Sequence, residues 1–206
     1  DTDNILYSVP VTGLTGVTNI WRNVGEMRNT GFEIAIGGDI IRTKDLTWSV
    51  DLNIGHNKNE LRDLYKQLDA NGNYVVRPVL IGDGSGISGS AQCILEIGEA
   101  VDTYYIREWA GVDSQTGSPM WYKNDENGNK VTTTSPGDAD YYKLGSASPD
   151  LFGGFNTSLT WKNFDLNAVF GYSIGGKLYN YARLEYDSDG TYTDRNQMKL
   201  QDGWSR

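Results

Sequence analysis

Between residues 31 and 55 the chain alternates apolar and polar side chains in two successive runs. Phe32, Ile34, Ile36 and Ile40 occupy even positions, with Glu33 and Asp39 at odd ones. After a polar break at Arg42, Thr43, Lys44 and Asp45, Leu46, Trp48, Val50, Leu52 and Ile54 alternate with Thr47, Ser49, Asp51 and Asn53. Period two marks a strand whose faces meet different surroundings, so the pattern predicts an antiparallel hairpin. Each arm approaches the ~9–11 residues that cross a bilayer as a tilted strand, where a soluble strand averages ~5–6. The apolar face is therefore expected to meet lipid.

A second hairpin repeats the pattern near the other end. Phe155, Leu159 and Trp161 alternate with Asn156, Ser158 and Thr160; Lys162 and Asn163 turn the chain; Phe164, Leu166, Ala168, Phe170 and Tyr172 alternate with Asp165, Asn167 and Ser173. Between the hairpins the pattern is mixed. Leu61, Leu64, Tyr65 and Leu68 have helical spacing and suggest a short helix stopped by Asn71-Gly72-Asn73. Residues 82–89 read as a glycine- and serine-rich loop. Residues 101–112 read as an aromatic strand, 113–119 as a turn, and 120–122 as a short return strand. Asn127-Gly128 is a tight-turn dipeptide within a hydrophilic loop. Residues 1–18 read as a strand end running into an irregular loop, and the chain turns polar beyond Gly175. Counting 101–111 and 120–122 as a spanning pair gives about six spanning strands, with every long connection (61–100, 123–149, 175–206) on one side. Outer-membrane barrels are built that way.

Composition narrows the choice without settling it. The 206 residues carry 27 acidic and 18 basic side chains, a net charge of −9, which argues against a nucleic-acid binder and its basic footprint. Six Trp, 13 Tyr and 25 Gly within a chain only 38% hydrophobic suit a membrane barrel, whose lumen and loops are polar. They also suit a secreted β-sandwich. No run approaches the ~20 apolar residues of a membrane helix. Cys93 is the single cysteine, so no internal disulfide forms. The chain opens at Asp1 without a signal peptide and stops within a polar segment, so both ends look cut.

Little in the sequence suggests catalysis, a cofactor or a metal. His56 lacks partners at ligand spacing. Residues 82–89 lack the Lys-Ser/Thr ending and following helix of a phosphate loop. Asp187-Ser188-Asp189-Gly190 opens like a calcium loop but lacks the later bidentate Glu; it and residues 125–129 read as polar turns. Cys93 has nothing nearby to activate it. Trp48, Trp161, Phe164 and Tyr172 stand where the aromatic girdles of a barrel stand. Tyr104, Tyr105, Trp109, Trp121 and Tyr122 fit packing roles or stacking on sugar rings. Tyr105, Trp109 and Trp121 are the candidate substrate-facing aromatics. Among the inward odd-numbered residues, which include Glu33 and Asp39, Asp51, Asn53, Asp165 and Asn167 are the candidates for a polar lumen.

Several stretches together resemble one family. Asn23-Val24-Gly25-Glu26-Met27-Arg28-Asn29-Thr30-Gly31-Phe32-Glu33 looks like the N-x-G-x-x-x-N-x-G-x-E stretch of SusC/RagA-type TonB-dependent outer-membrane transporters of Bacteroidetes. Residues 48–60, ending His56-Asn57-Lys58-Asn59-Glu60, resemble the family's next strand. Trp109-Ala110-Gly111-Val112-Asp113, Gly117-Ser118-Pro119-Met120-Trp121-Tyr122, Leu144-Gly145-Ser146-Ala147-Ser148-Pro149, Phe164-Asp165-Leu166 and Gly175-Gly176-Lys177 continue the likeness in family order.

The resemblance implies an all-β fold: antiparallel up-and-down strands forming part of a large transmembrane β-barrel with long extracellular loops. Residues 1–206 would be a late part of a barrel of about 22 strands, without its plug domain and final strands. It implies import of glycans or oligopeptides across the Gram-negative outer membrane with a SusD-like surface lipoprotein. TonB would couple through the plug, lipid would surround the wall, and no enzyme activity or cofactor is expected. The alternative is a soluble β-sandwich carbohydrate-binding module, distinguished by shorter strands and a second sheet over the apolar face. A small closed eight-strand barrel ranks last.

Overall fold

The computed structural model describes residues 2–3, 6–10, 16, 19–23, 25–82 and 91–186. The stretches expected as a loop at 83–89 and a polar turn at 187–190 lie outside these residues. The elements, in chain order, are β1 (Thr2–Asp3), β2 (Leu6–Pro10), β3 (Asn19–Asn23), β4 (Glu26–Arg42), β5 (Leu46–Asp63), β6 (Lys66–Leu68), β7 (Tyr74–Val76), β8 (Val79–Ile81), β9 (Cys93–Leu95), β10 (Thr103–Arg107), β11 (Trp109–Val112), β12 (Pro119–Asn124), β13 (Lys130–Thr133), a 3-10 turn at Pro136–Asp138, β14 (Tyr141–Ser146), β15 (Leu151–Trp161), β16 (Phe164–Ile174) and α1 (Tyr181–Tyr186). Every strand pairing is antiparallel where its register is given. Among the described residues no helix is long and apolar enough to cross a membrane, which says nothing of β-barrels. No sheet closes on itself among them either; the largest is five-stranded, ordered β1-β4-β5-β15-β16.

The chain divides into two compact units. The first comprises Asp1–Arg77, Glu96–Val101 and Ser146–Lys177; the second comprises Pro78–Leu95, Asp102–Gly145 and Leu178–Arg206.

The first unit holds the long sheet. Both predicted hairpins form, and β4 and β5 run well past the alternating stretch, to 17 and 18 residues. Strands β15 and β16 have 11 residues each. The hairpins lie side by side, because β5 pairs with β15 from Leu46↔Trp161 to Gly55↔Phe152. Apolar positions consequently align across four strands. Ile36, Leu52, Phe155 and Phe170 form one row, and Ile41, Trp48, Leu159 and Leu166 another. Among the described residues this face stays exposed: Phe164 is 72% exposed, Leu166 62% and Phe170 56%. Long strands and an uncovered apolar face depart from the sandwich, which buries that face under another sheet.

Five features differ from the sequence expectations. First, residues 61–68 form no helix, because β5 continues to Asp63 and β6 follows. The 3.6-period spacing there arises from Leu61 and Leu64, both buried, on irregular extended backbone. Second, 101–111 and 120–122 are not wall strands. They contribute β10, β11 and β12, of 4–6 residues, to separate small sheets, too short for the ~9–11 residues a crossing needs. Among the described residues the six expected spanning strands reduce to the four long ones. Third, a bulge between Asp39 and Ile41 inserts Ile40, so Ile41 rather than Ile40 pairs with Trp48. An extra residue shifts the face parity of everything after it. Fourth, the segment 1–23 contributes β2 and β3, which pair with each other. Fifth, the polar segment after Gly175 includes the short helix α1.

The two short turns sit at the same end of the sheet. Thr43 closes the first, its N–H and Oγ1 both donating to the Leu46 carbonyl at 2.7 and 3.0 Å. The second turn requires a positive φ of 51° at Lys162. The Lys162 N–H donates to the Asp45 carbonyl at 2.8 Å and ties one turn to the other.

Candidate functional site

The face opposite the apolar rows carries the polar candidates. Alternation places Asp51, Asn53, Asp165 and Asn167 together on it. Asp51 lies opposite Gly37 on one side and Asn156 on the other; Asn53 lies opposite Ala35 and Gly154. Gly37 is needed here, since a Cβ at that position would run into the Asp51 carboxylate. Asp165 accepts a hydrogen bond from Thr160 Oγ1 at 2.7 Å, and Asn167 ends a row through Ser158 and Ser49 to Asp39. Ser49 donates to Asp39 at 2.7 Å, and Arg42 pairs with the same carboxylate at 3.2 Å. On a regular strand residues 39 and 42 would face opposite ways; the bulge at Ile40 brings them together. Sequence reasoning placed Ser49, Asn156 and Thr160 among the polar alternate residues without naming them as lumen candidates, and it left Arg42 in the turn. The signal for Arg42 was the Ile40-Ile41 doublet, which breaks the alternation. The strip carries Glu33, Asp39, Asp51 and Asp165 against Arg42, so it is acidic and rich in hydroxyls and amides.

Two glycine–aromatic pairs fasten β5, β15 and β16. Tyr172 lies across Gly153 and donates its phenol to the Asn53 carbonyl at 2.8 Å. On the other face Phe152 lies over Gly55, where a Cβ would come within 2.7 Å of its ring. Glycine removes the side chain that would block the ring, and the ring restores the apolar cover that glycine lacks.

The girdle candidates take up both ends of the apolar face. Trp161 and Phe164 stack at 6.3 Å beside the turn, and Tyr172 lies eight residues further along β16, about 26 Å at ~3.3 Å per residue. A tilt of ~40° converts that to about 20 Å of height, comparable to the ~25 Å apolar band of an outer-membrane barrel. Trp48 donates its indole N–H to Thr157 Oγ1 at 2.9 Å, which satisfies the one polar group the indole carries.

The aromatic candidates lie in the second unit, and the structure splits them. Trp109 and Trp121 pair across β11 and β12 with ring centroids 5.9 Å apart, edge to face; Trp109 is 55% exposed. Tyr105 is elsewhere, stacked on Tyr141 at 5.6 Å, with the Arg107 guanidinium 4.7 Å from the same Tyr141 ring.

Three loops share one architecture. Asp69 and Asp125 each accept from two backbone N–H groups through Oδ1, at 2.8–2.9 Å, and each loop passes through a glycine of φ 81° or 80°. Asp113 accepts from the Gln115 N–H and the Thr116 hydroxyl. These bonds hold all three carboxyls below the ordinary carboxylate range, led by the Asn73 N–H for Asp69, the Gln115 N–H for Asp113 and the Asn129 side chain for Asp125. Residues 125–129 are thus a polar turn whose carboxylate is used internally. Among the described residues no cluster of three or more His, Cys, Asp or Glu could hold a metal. Burial, and then the charge of Asp102, push the Cys93 thiol up, away from the reactive thiolate. His56 ends the apolar register beside Phe32, and its Nδ1 hydrogen-bonds the Asp150 carbonyl at 2.6 Å.

No family model matches the chain. Individual proteins do. TonB-dependent receptor P3 of Formosa agariphila is 32% identical over 203 residues, covering 91% of this chain and 19% of that protein. The TonB-dependent receptor SusC of Bacteroides thetaiotaomicron is 30% identical over 192 residues, covering 91% of this chain and 18% of its own. The RagAB peptide transporter superposes with a TM-score of 0.63 at 30% identity, over 85% of this chain and 18% of the solved one. The RagAB peptide importer in its open-open state gives 0.66 at 26% identity, over 84% and 17%. The chain spans about a fifth of the length of the curated relatives it matches. Over most of its own length it is similar in sequence to SusC and other TonB-dependent receptors, and its antiparallel sheets match part of a TonB-dependent barrel.

Proposed function

We propose that this chain, similar to SusC-type TonB-dependent receptors along most of its length, is a stretch of barrel wall from an energy-coupled outer-membrane importer. The carrying observation is the sheet β4-β5-β15-β16, apolar and uncovered on one face, acidic and hydroxylated on the other. A free-standing protein in water rarely exposes so large a contiguous apolar area. A barrel wall turns it to lipid and lines its lumen with the alternate residues. In this reading Phe32, Ile36, Leu166 and Phe170 face lipid, while Asp51, Asn53, Asp165 and Asn167 face a hydrated solute path. The open sheet edges pair with further strands, because unpaired backbone groups in hydrocarbon cost several kcal/mol each.

The long connection from β5 to β15 leaves the wall at the end away from the short turns, the extracellular end of such barrels. It offers Tyr105, Trp109 and Trp121 to substrate or to a SusD-like lipoprotein, with TonB acting through a plug domain. Import of glycans or oligopeptides fits the acidic, amide-rich strip.

Nitroxide labels at adjacent β16 positions test the reading. Leu166→Cys and Asn167→Cys, in the purified and reconstituted protein with Cys93 and any other cysteine replaced, should respond oppositely. The label at 166 should be relaxed by oxygen dissolved in lipid, and the label at 167 by a water-soluble nickel chelate. Equal nickel access at both positions would overturn the wall.

A further inference from the structure

The sheet β11-β12-β13 and the strand β14 surround an ammonium with groups suited to hold one. Lys130 opens β13 directly after the 125–129 turn, and its Nζ donates to Glu108 Oε2 at 2.6 Å. The same Nζ lies 4.2 Å from the ring centroid of Tyr122 and 4.8 Å from that of Tyr142. The pairings Tyr122↔Thr132 and Asn124↔Lys130 put Tyr122 and Lys130 on one face of the sheet, with Trp109 and Trp121 on the opposite face. Tyr142 reaches in from β14, its phenol donating to Asn124 Oδ1 at 3.1 Å. Asn124 is itself fixed by its backbone N–H on the Asp140 carboxylate at 2.6 Å.

We propose that Glu108, Tyr122 and Tyr142 form a binding site for a primary alkylammonium, such as a lysine side chain or the amino terminus of a peptide, and that Lys130 is its tethered, displaceable occupant. Two aromatic faces attract a cation through their quadrupoles, and a carboxylate adds a charge-assisted hydrogen bond. That bond selects among cations: a quaternary ammonium has no N–H to give Glu108, whereas a primary one does. The site also opens to solvent, since the Lys130 side chain is 42% exposed and that of Glu108 31%. The hydrogen bond from Lys130 to Glu108 raises the ammonium above its ordinary pKa, so the present occupant is a charged one. A net charge of −9 favours the approach of a cationic competitor.

A tethered ligand competes at an effective concentration of order millimolar. An external amine binds only in the fraction of time the site is free, so removing Lys130 should tighten its binding, by about tenfold where the emptied site binds an ammonium with a Kd of ~0.1 mM.

The site lies outside the transport reading and is tested without transport. A short peptide with one lysine and a capped amino terminus is titrated by calorimetry into the whole protein purified in detergent. Its twin with an acetylated lysine is the control. Lys130→Ala should bind the lysine peptide severalfold more tightly than the unaltered protein, and neither should bind the twin. Lys130→Gln, which keeps a hydrogen-bonding side chain over the cage, guards against misfolding and should also bind more tightly than the unaltered protein. Adding Glu108→Gln to either variant should abolish the gain. If the folded variants bind the lysine peptide no better than the unaltered protein, or bind both peptides equally, the proposal is overturned and Lys130 is a staple between strands.

Discussion

The long sheet of the first unit and the small sheets of the second differ in strand length and in how their apolar residues are covered. In the long sheet the large apolar side chains point out, and Val169 and Phe170 are both more than half exposed although they face opposite ways. In the second unit the strands have three to six residues, and their cover is mixed: Ile94 and Thr103 are buried, while Leu80 and Trp109 are more than half exposed. A long alternating strand commits a whole face to one medium, whereas a short one presents only a few side chains to either side. The same residue types therefore require different neighbours, and the difference fixes which surface of each unit tolerates change.

The comparison is tested most severely on β16. Phe170→Arg places a charge on the proposed lipid face and should cost ~2–4 kcal/mol, whereas Val169→Arg, one residue away on the strip face, should cost far less. The measurement is denaturant unfolding of the refolded protein in bilayers. Equal losses would mean that the two faces see the same medium.

Gly153→Ala tests the fastening of the wall itself. Its Cβ would collide with the Asn53 carbonyl and meet the Tyr172 phenol at 2.6 Å, an overpacking cost of ~1–3 kcal/mol. Gly128→Ala in the second unit meets nothing within 4 Å but must hold φ at 80°, and should cost ~1–2 kcal/mol. Thermal unfolding of both variants decides whether close approach or backbone conformation dominates.

The smallest effect is the acid response of the loops. The Asp69, Asp113 and Asp125 carboxyls are lowered in the folded chain, so their contribution is complete above the ordinary carboxylate pKa. It fades as pH falls below that value and through the lower folded one. Hydrogen exchange at Asn127 and Asn129, corrected for the intrinsic rate, should accelerate below about pH 4, and Asp125→Asn should flatten the response.

Both hairpins, their turns, the apolar and polar faces, and the likeness to SusC-type receptors were legible in the chain, because alternation and turn chemistry act over a few neighbouring residues. The helix expected at 61–68 failed because Leu61 and Leu64 are buried by tertiary packing. Spacing alone cannot separate that from a helical stripe. The expected strand pair at 101–122 failed because aromatic richness marks a strand without saying which sheet receives it. For the same reason Trp109 and Trp121 meet, while Tyr105 stacks on Tyr141.

The sequence by itself determined which residues pair with which medium, since each alternating run commits one face to apolar surroundings wherever the strand is placed. Only the tertiary structure decided that β5 would pair with β15 across residues 64–150, joining two hairpins into one wall and leaving residues 78–95 and 102–145 between them to a second unit. It also decided the register and the Ile40 bulge that brings Arg42 to Asp39. Backbone hydrogen bonds between strands are the same for every side chain. Which strands share them is settled by matching faces and by glycine–aromatic contacts such as Gly153 with Tyr172, which exist only once the distant strands have met.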